Sequence, residues 1–162
     1  MQTSVPATAT VPTEAELRAL IDSHLTQEGP LLPILHDLQD RYGHIPDSAV
    51  PLMAAALKLT RAEVQGVISF YHDFRRRPAG HHVIKICRAE ACQAMGANAL
   101  AARLLDRLGL DWNGTTADGQ ITVEPVYCLG LCACGPAAMV DETLHGRVDD
   151  SRLDTLLQEI GA

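Results

Sequence analysis

The chain has 162 residues, of which 47% are hydrophobic and 20% are charged, and its formal net charge is −7. This composition is ordinary for a globular protein of one domain or two small ones. Nucleic acids and anionic membranes are recognised by basic surfaces, so the acidic balance argues against both as partners. No apolar run approaches the roughly 20 residues of a membrane span, and the first residues lack the pattern of a signal peptide. We therefore expect a cytoplasmic protein.

Residues 1–12 are rich in Thr, Ala and Pro and are predicted to be a disordered tail. Residues 13–75 are predicted to contain four short amphipathic helices. Because none of them can bury its apolar stripe alone, they should pack together as one lobe. The third of these helices should begin near Asp47. The other helix boundaries are marked by two capping boxes and one glycine stop, at Thr13–Glu16, Thr60–Glu63 and Gly43.

Residues 76–80 are predicted to be a linker. The arginine run Arg75–Arg77, where the lobe meets this linker, is either solvated or in contact with an acidic partner surface. Residues 81–162 are predicted to form a second domain with the element order βαβββα. Its last helix should be capped by Asp150 or Ser151. The other predicted elements are strands at 82–87, 121–128, 138–141 and 143–148 and a helix from about Met95 to Leu108 that is stopped by Gly109.

The first two of these strands flank a helix and should run parallel, because βαβ crossovers join parallel strands. Pro125 lacks an N–H for the ladder, so the second strand should lie at the edge of the sheet. If the two strands are neighbours, Cys87 and Cys128 lie close together at their carboxyl ends, where open α/β sheets bind ligands.

All five cysteines lie between Cys87 and Cys134, as Cys87-x4-Cys92 and then Cys128-x3-Cys132-x-Cys134. Disulfides are rare in a reducing compartment, and the odd count would leave one thiol over. Thiolates are soft ligands that bind zinc or iron-sulfur clusters. Structural zinc favours two-residue spacers, whereas these wider loops favour two metal centres held by one pair each, as in a [2Fe-2S] cluster. Gly130 and Gly135 would let backbone N–H groups approach the sulfurs.

These cysteine pairs, with Gly135-Pro136 after them, resemble the thioredoxin-like [2Fe-2S] ferredoxin subunits of NADH-oxidising complexes. The stretches Ser69-Phe-Tyr-His-Asp-Phe-Arg75 and Cys87-Arg-Ala-Glu-Ala-Cys92 look most like the gamma subunit of soluble, molybdenum-dependent, NAD-reducing formate dehydrogenases. The resemblance covers about residue 14 to the end. It implies an α+β architecture in which the four-helix lobe precedes a thioredoxin-like domain with a mixed four-stranded sheet.

The resemblance also implies one [2Fe-2S] cluster with the ligands Cys87, Cys92, Cys128 and Cys132. Spacing alone would let either Cys132 or Cys134 reach the iron. A three-residue loop that contains Gly130 agrees with Cys132, and Cys134 is expected to turn away and pack as a small apolar residue.

No catalytic constellation is evident in the sequence, so the chain should transfer electrons without transforming a substrate. The resemblance implies that it docks on a flavin and NAD-binding subunit. The FMN, further iron-sulfur clusters and a molybdenum cofactor would reside in that subunit and in a catalytic molybdenum subunit. Two alternatives stay open. One is the equivalent subunit of an NADH:quinone oxidoreductase or a bidirectional NAD-reducing hydrogenase, and the other is a zinc-stabilised interaction module.

Overall fold

A computed structural model describes residues 11–161 of the chain. They form two compact units, of which the first ends at Pro78 and the second begins at Ala79. This division falls within the predicted linker. The predicted disordered tail lies outside the described residues except for Val11 and Pro12, which belong to no helix or strand.

Four helices make up the described part of the first unit: α1 Glu14–His24, α2 Leu31–Tyr42, α3 Ala49–Leu57 and α4 Arg61–Phe70. The capping boxes predicted for α1 and α4 are present. In the second of them the Thr60 hydroxyl accepts a hydrogen bond from the Glu63 N–H, and the Glu63 carboxylate accepts one from the Thr60 N–H. Gly43 ends α2 in the left-handed conformation, at a φ of 73°. The four-helix lobe is thus confirmed, although α3 begins two residues later than predicted.

The apolar stripes of these helices meet in one core, whose largest fully buried side chains are Leu17, Ile21, Ile34, Leu35, Leu38, Ile45 and Met53. Leu25 caps the carboxyl end of α1 and is 41% exposed, so it lies outside this core. Arg76 does not lie free in solvent, because its guanidinium pairs with Asp47 and donates to Gln65 Oε1 at 2.5 Å. The arginine run is therefore held partly against the helical unit.

The second unit contains β1 His82–Cys87, α5 Glu90–Ala94, α6 Ala97–Leu108, β2 Ile121–Val126, β3 Ala138–Val140, β4 Thr143–His145 and α7 Asp150–Glu159. The strands form one sheet in the order β2-β1-β3-β4. β1 is parallel to β2 and antiparallel to β3, and β3 and β4 form a hairpin. The predicted mixed four-stranded sheet is confirmed.

β2 lies at the edge of the sheet, as predicted from the presence of Pro125. It ends at Val126, two residues before Cys128. Register places Cys87 opposite Val126, so the sheet brings the chain segments of both cysteine pairs to one end. The predicted cap of α7 is wrong. Asp149 has extended backbone angles and its side chain accepts the Arg152 N–H at 2.8 Å, whereas Asp150 and Ser151 belong to the first turn.

One core joins the sheet to α6 and α7, and its fully buried side chains include Ile84, Ile86, Leu104, Val123 and Leu157. α6 packs on the sheet through one apolar stripe, in which Ala101 and Leu104 are buried and Leu105 and Leu108 are half-buried. Among the described residues, no helix has the length and apolar character needed to cross a bilayer.

Candidate metal centre

Four cysteines gather beyond the carboxyl ends of the two parallel strands. Cys87 is the last residue of β1, Cys92 lies in α5, Cys128 follows β2 and Cys132 opens a single 3₁₀ turn. Cys87 and Cys92 are each 2% exposed, whereas Cys128 and Cys132 are exposed. The site therefore has a buried pair and a surface pair.

The buried pair depends on α5, which the sequence did not predict. This helix has only five residues, too few for a periodic apolar pattern to show in the sequence. It is separated from α6 by Gly96, whose φ of 93° allows the change of direction. Because α5 turns Cys92 inward, Cys87 and Cys92 pack together with Ala97 and Ala137 in one buried cluster.

The sulfur of Cys87 is surrounded by backbone donors. Burial raises the pKa of the Cys87 thiol, but the N–H of Ala89, the Cys92 thiol and the N–H groups of Cys128 and Leu129 donate to the sulfur and lower the pKa below its usual value. The turn after Cys128 thus directs the amides of Cys128 and Leu129 at the Cys87 sulfur, while the contribution of Ala89 had no signal in the sequence. These donors stabilise negative charge on sulfur, which a metal-thiolate group requires.

The remaining sulfurs influence one another through charge. Burial, the hydrogen bond with Cys87 and the negative charges of Cys87 and Cys132 raise the pKa of Cys92, and the Ala137 N–H partly offsets this. The hydrogen bond with Cys128, 3.6 Å between the two sulfurs, raises the pKa of Cys132, and the charges of Cys128 and Cys87 add to it. Four thiolates at this spacing repel each other, and bound cations would relieve that repulsion.

The loop between Cys128 and Cys132 is tightly turned. Cys128 has a φ of 82°, uncommon for a residue with a side chain, and Gly130 has a φ of 78°. A Cβ on Gly130 would meet no heavy atom within 4 Å, so this glycine serves the backbone conformation. Gly135 differs, because its φ is −67° and a Cβ there would make ordinary contacts, the nearest at 3.5 Å to Cys92 Cα.

Cys134 lies at the end of the 3₁₀ turn and is half-buried. Its carbonyl accepts a hydrogen bond from the Arg147 N–H at 2.6 Å, and a Cβ on Gly146 would lie 3.0 Å from the Cys134 Cβ. The side chain therefore packs against the segment between β4 and α7. This placement agrees with the expectation that Cys134 packs as a small residue.

The donor set suits a group with two metal centres. Cys87 and Cys92 pack in one buried cluster, and the sulfurs of Cys128 and Cys132 lie 3.6 Å apart, so the soft ligands form two pairs. The type, number and pairing of the sulfurs thus fit a [2Fe-2S] cluster.

Comparison with known proteins agrees with this chemistry. A sequence profile of the family described as thioredoxin-like [2Fe-2S] ferredoxin matches residues 17–161. The chain is 36% identical to a subunit of the NADH-quinone oxidoreductase of Pseudomonas aeruginosa over 121 residues, which are 75% of this chain and 73% of the relative. It is 31% identical to a subunit, HndA, of the NADP-reducing hydrogenase of Solidesulfovibrio fructosivorans over 148 residues, 91% and 86% of the two chains.

Among solved structures, an NAD+-reducing [NiFe]-hydrogenase in the H2-reduced state superposes with a TM-score of 0.63 at 26% identity. The match covers 78% of this chain but only 22% of the hydrogenase polypeptide, so the chain spans about a fifth of that relative. The family match extends over both compact units. The chain therefore belongs to the thioredoxin-like [2Fe-2S] ferredoxin family, and its cofactor is one [2Fe-2S] cluster.

Proposed function

We propose that Cys87, Cys92, Cys128 and Cys132 hold the cluster, with one iron bound by the buried pair and the other by the surface pair. The observation that supports this assignment is the pairing of the four sulfurs at the carboxyl ends of β1 and β2. A bound [2Fe-2S] cluster supplies reversible one-electron chemistry. The protein supplies the backbone N–H groups around Cys87, which stabilise negative charge, and the exposed surface pair, which lies where a redox partner can approach.

The chain would then act as an electron-transfer subunit with no substrate site of its own. Its relatives are named as subunits of an NADH-quinone oxidoreductase and of an NADP-reducing hydrogenase. These names support an NAD(P)-linked complex of either kind, in which this chain docks on the flavin and NAD-binding subunit. We further propose that the complex is cytoplasmic, because a reducing compartment keeps cysteines as thiols that can bind metal.

Formate dehydrogenase is the second candidate, and it rests on local sequence. The stretch Ser69–Arg75 resembles the gamma subunit of the molybdenum-dependent enzyme, and it begins in the last turn of α4, where Phe70 is 72% exposed. An exposed aromatic side chain suits a contact with another subunit. The relatives reported above nevertheless favour the quinone oxidoreductase or hydrogenase assignment over the formate dehydrogenase that the local sequence resemblance suggested.

Isolation of the native complex through a tag on this chain separates the candidates. Molybdenum and formate-dependent NAD reduction would support formate dehydrogenase, nickel and hydrogen-dependent reduction would support a hydrogenase, and NADH-dependent quinone reduction would support the third assignment. All three predict two iron and two acid-labile sulfide ions per chain and a reduced-state paramagnetic signal of one [2Fe-2S] centre. A colourless chain with stoichiometric zinc after anaerobic purification would contradict all of them.

The ligand assignment is tested by two alanine substitutions in the same turn. Cys132→Ala should lose or severely destabilise the cluster, while Cys134→Ala should keep its iron content and its spectrum. Alanine is preferred to serine, because a serine oxygen can replace a thiolate. An empty Cys134→Ala variant beside an intact Cys132→Ala variant would reverse the assignment.

A further inference from the structure

Arg88 directly follows Cys87 and borders a small cavity on the α6 side of the second unit. Its Cζ lies 5.2 Å from the ring centroid of Trp112, a cation–π contact that orients the guanidinium. The cavity has a volume of about 210 Å³. Its other lining residues are Asn98, Ala101, Ala102 and Leu105.

The guanidinium of Arg88 is poorly supplied with acceptors. Among the described residues its Nε is buried and has no hydrogen-bond partner. Nη2 donates to Asn98 Oδ1 over a long 3.4 Å. A guanidinium has five N–H donors, and a buried donor without an acceptor destabilises the protein that contains it. The side chain is thus in a position where an added acceptor would be favourable.

The charges around the cavity indicate which charge a group bound to Arg88 should carry. Other arginines of the second unit pair with carboxylates of α7, namely Arg103 with Asp150, Arg107 with Asp154 and Arg152 with Glu159. In the part of the chain that the structure describes, no carboxylate lines the cavity beside Arg88. Although the chain has a net charge of −7, this cavity keeps an uncompensated positive group. Its complement is an anion, and a planar carboxylate matches the guanidinium fork.

We propose that the cavity receives the carboxylate of an aspartate or glutamate from the partner subunit on which this chain docks. The apolar walls formed by Ala101, Ala102 and Leu105 suit the methylene stem of such a side chain. The Arg88 N–H donates to Val126 O at 2.7 Å and its carbonyl accepts from Gln93 Nε2 at 2.7 Å, so its backbone is fixed to β2 and α5. A contact at Arg88 therefore positions the partner beside Cys87. The inference rests on the proposed electron-transfer function.

The test uses the native complex, purified through a tag on a partner subunit, and follows the exchange of this chain against excess free chain. Arg88→Gln removes the charge, Arg88→Lys keeps the charge without the fork, and Arg107→Gln is the matched control. Loss of a charged hydrogen bond should speed release of the Arg88→Gln chain roughly 10- to 100-fold, with Arg88→Lys between it and the native chain. Arg107→Gln should release at the native rate. Iron and sulfide content are measured in every variant, so that an effect on the cluster is recognised.

Trp112 is the only tryptophan of the chain and provides a direct readout of the cavity. In a chain labelled with fluorotryptophan, the fluorine resonance should shift on assembly and should not shift when the free chain is titrated with succinate or inorganic phosphate. Release of Arg88→Gln at the native rate, or a resonance unmoved by assembly, would overturn the proposal. A shift with succinate or phosphate alone would overturn it in favour of a small-anion site. If the native chain never assembles with a flavin subunit, the proposed function itself fails.

Discussion

Replacing Gly130 with alanine should weaken the loop that carries the surface pair of cysteines. Gly130 has a φ of 78°, and a Cβ there would meet no heavy atom within 4 Å, so the substitution introduces backbone strain without a steric clash. A non-glycine residue in the left-handed region costs roughly 1–3 kcal/mol. The open surroundings place alanine at the lower end of that range, and about 1 kcal/mol corresponds to roughly a fivefold change in an equilibrium or a rate.

The assay is the rate of cluster loss to an iron chelator, followed by visible absorbance, together with urea unfolding of the same protein. Gly130→Ala should lose its cluster roughly fivefold faster than the native chain if the strain is released as the loop opens. Gly135→Ala is the matched control, because its φ is −67° and the new Cβ would make ordinary contacts near 3.5 Å. Its stability should change by less than about 0.5 kcal/mol.

The comparison between Gly130→Ala and Gly135→Ala tests whether backbone strain at Gly130 controls cluster loss. If Gly130→Ala keeps its cluster as long as the native chain while Gly135→Ala loses it quickly, the explanation by backbone strain is refuted. These glycines would then act through close approach to the cluster and not through backbone conformation.

Three further predictions concern the two units separately. Leu104→Ala empties a fully buried position against the sheet and should cost about 2–5 kcal/mol in urea unfolding. Thr60→Ala removes the capping box of α4 and should cost about 1 kcal/mol, measured by thermal unfolding followed by circular dichroism. Burial raises the pKa of the Asp37 carboxyl, but its hydrogen bonds with His24 and Arg41 outweigh this and lower the pKa. Because the folded-state pKa lies below the unfolded one, Asp37→Asn should lower stability at neutral pH, and the difference from the native chain should shrink as the pH falls through the folded-state pKa.

Controls for these predictions come from exposed positions. Leu144→Ala, at a side chain that is 49% exposed, should change stability far less than Leu104→Ala. Thr60→Ser retains a hydroxyl that can cap α4, so it should keep most of the stability that Thr60→Ala loses. Asp40→Asn changes an exposed carboxylate of the same helix as Asp37 and should change stability at neutral pH by less than about 0.5 kcal/mol. If the stability difference between Asp37→Asn and the native chain stayed constant as the pH falls, the contacts of Asp37 would not stabilise the helical unit.

The features predicted correctly from the sequence are those that local chemistry determines. A threonine followed three residues later by glutamate can form a capping box, which satisfies free backbone N–H groups at the start of a helix. Thr13 and Thr60 therefore mark the starts of α1 and α4 without reference to any distant contact. Gly43 and Gly109 ended their helices in the left-handed conformation that glycine adopts most readily. Pro125 placed β2 at an edge because proline lacks the N–H that a central strand needs.

Other features depend on contacts between residues that are distant in the chain. α5 is too short to be stable or visible by periodicity, and the cluster of small buried residues around it is assembled from separate segments. The pairing of Arg76 with Asp47, 29 residues apart, likewise has no local signal.

The number, type and spacing of the sulfur ligands can be read from the sequence, because spacing is a property of the chain. Which sulfurs are buried, and which backbone groups donate to Cys87, depends on how distant segments fold together. The amides of Cys128 and Leu129 reach that sulfur because β1 and β2 are neighbours in register, and strand neighbourhood is set by the packing of the whole sheet against its helices.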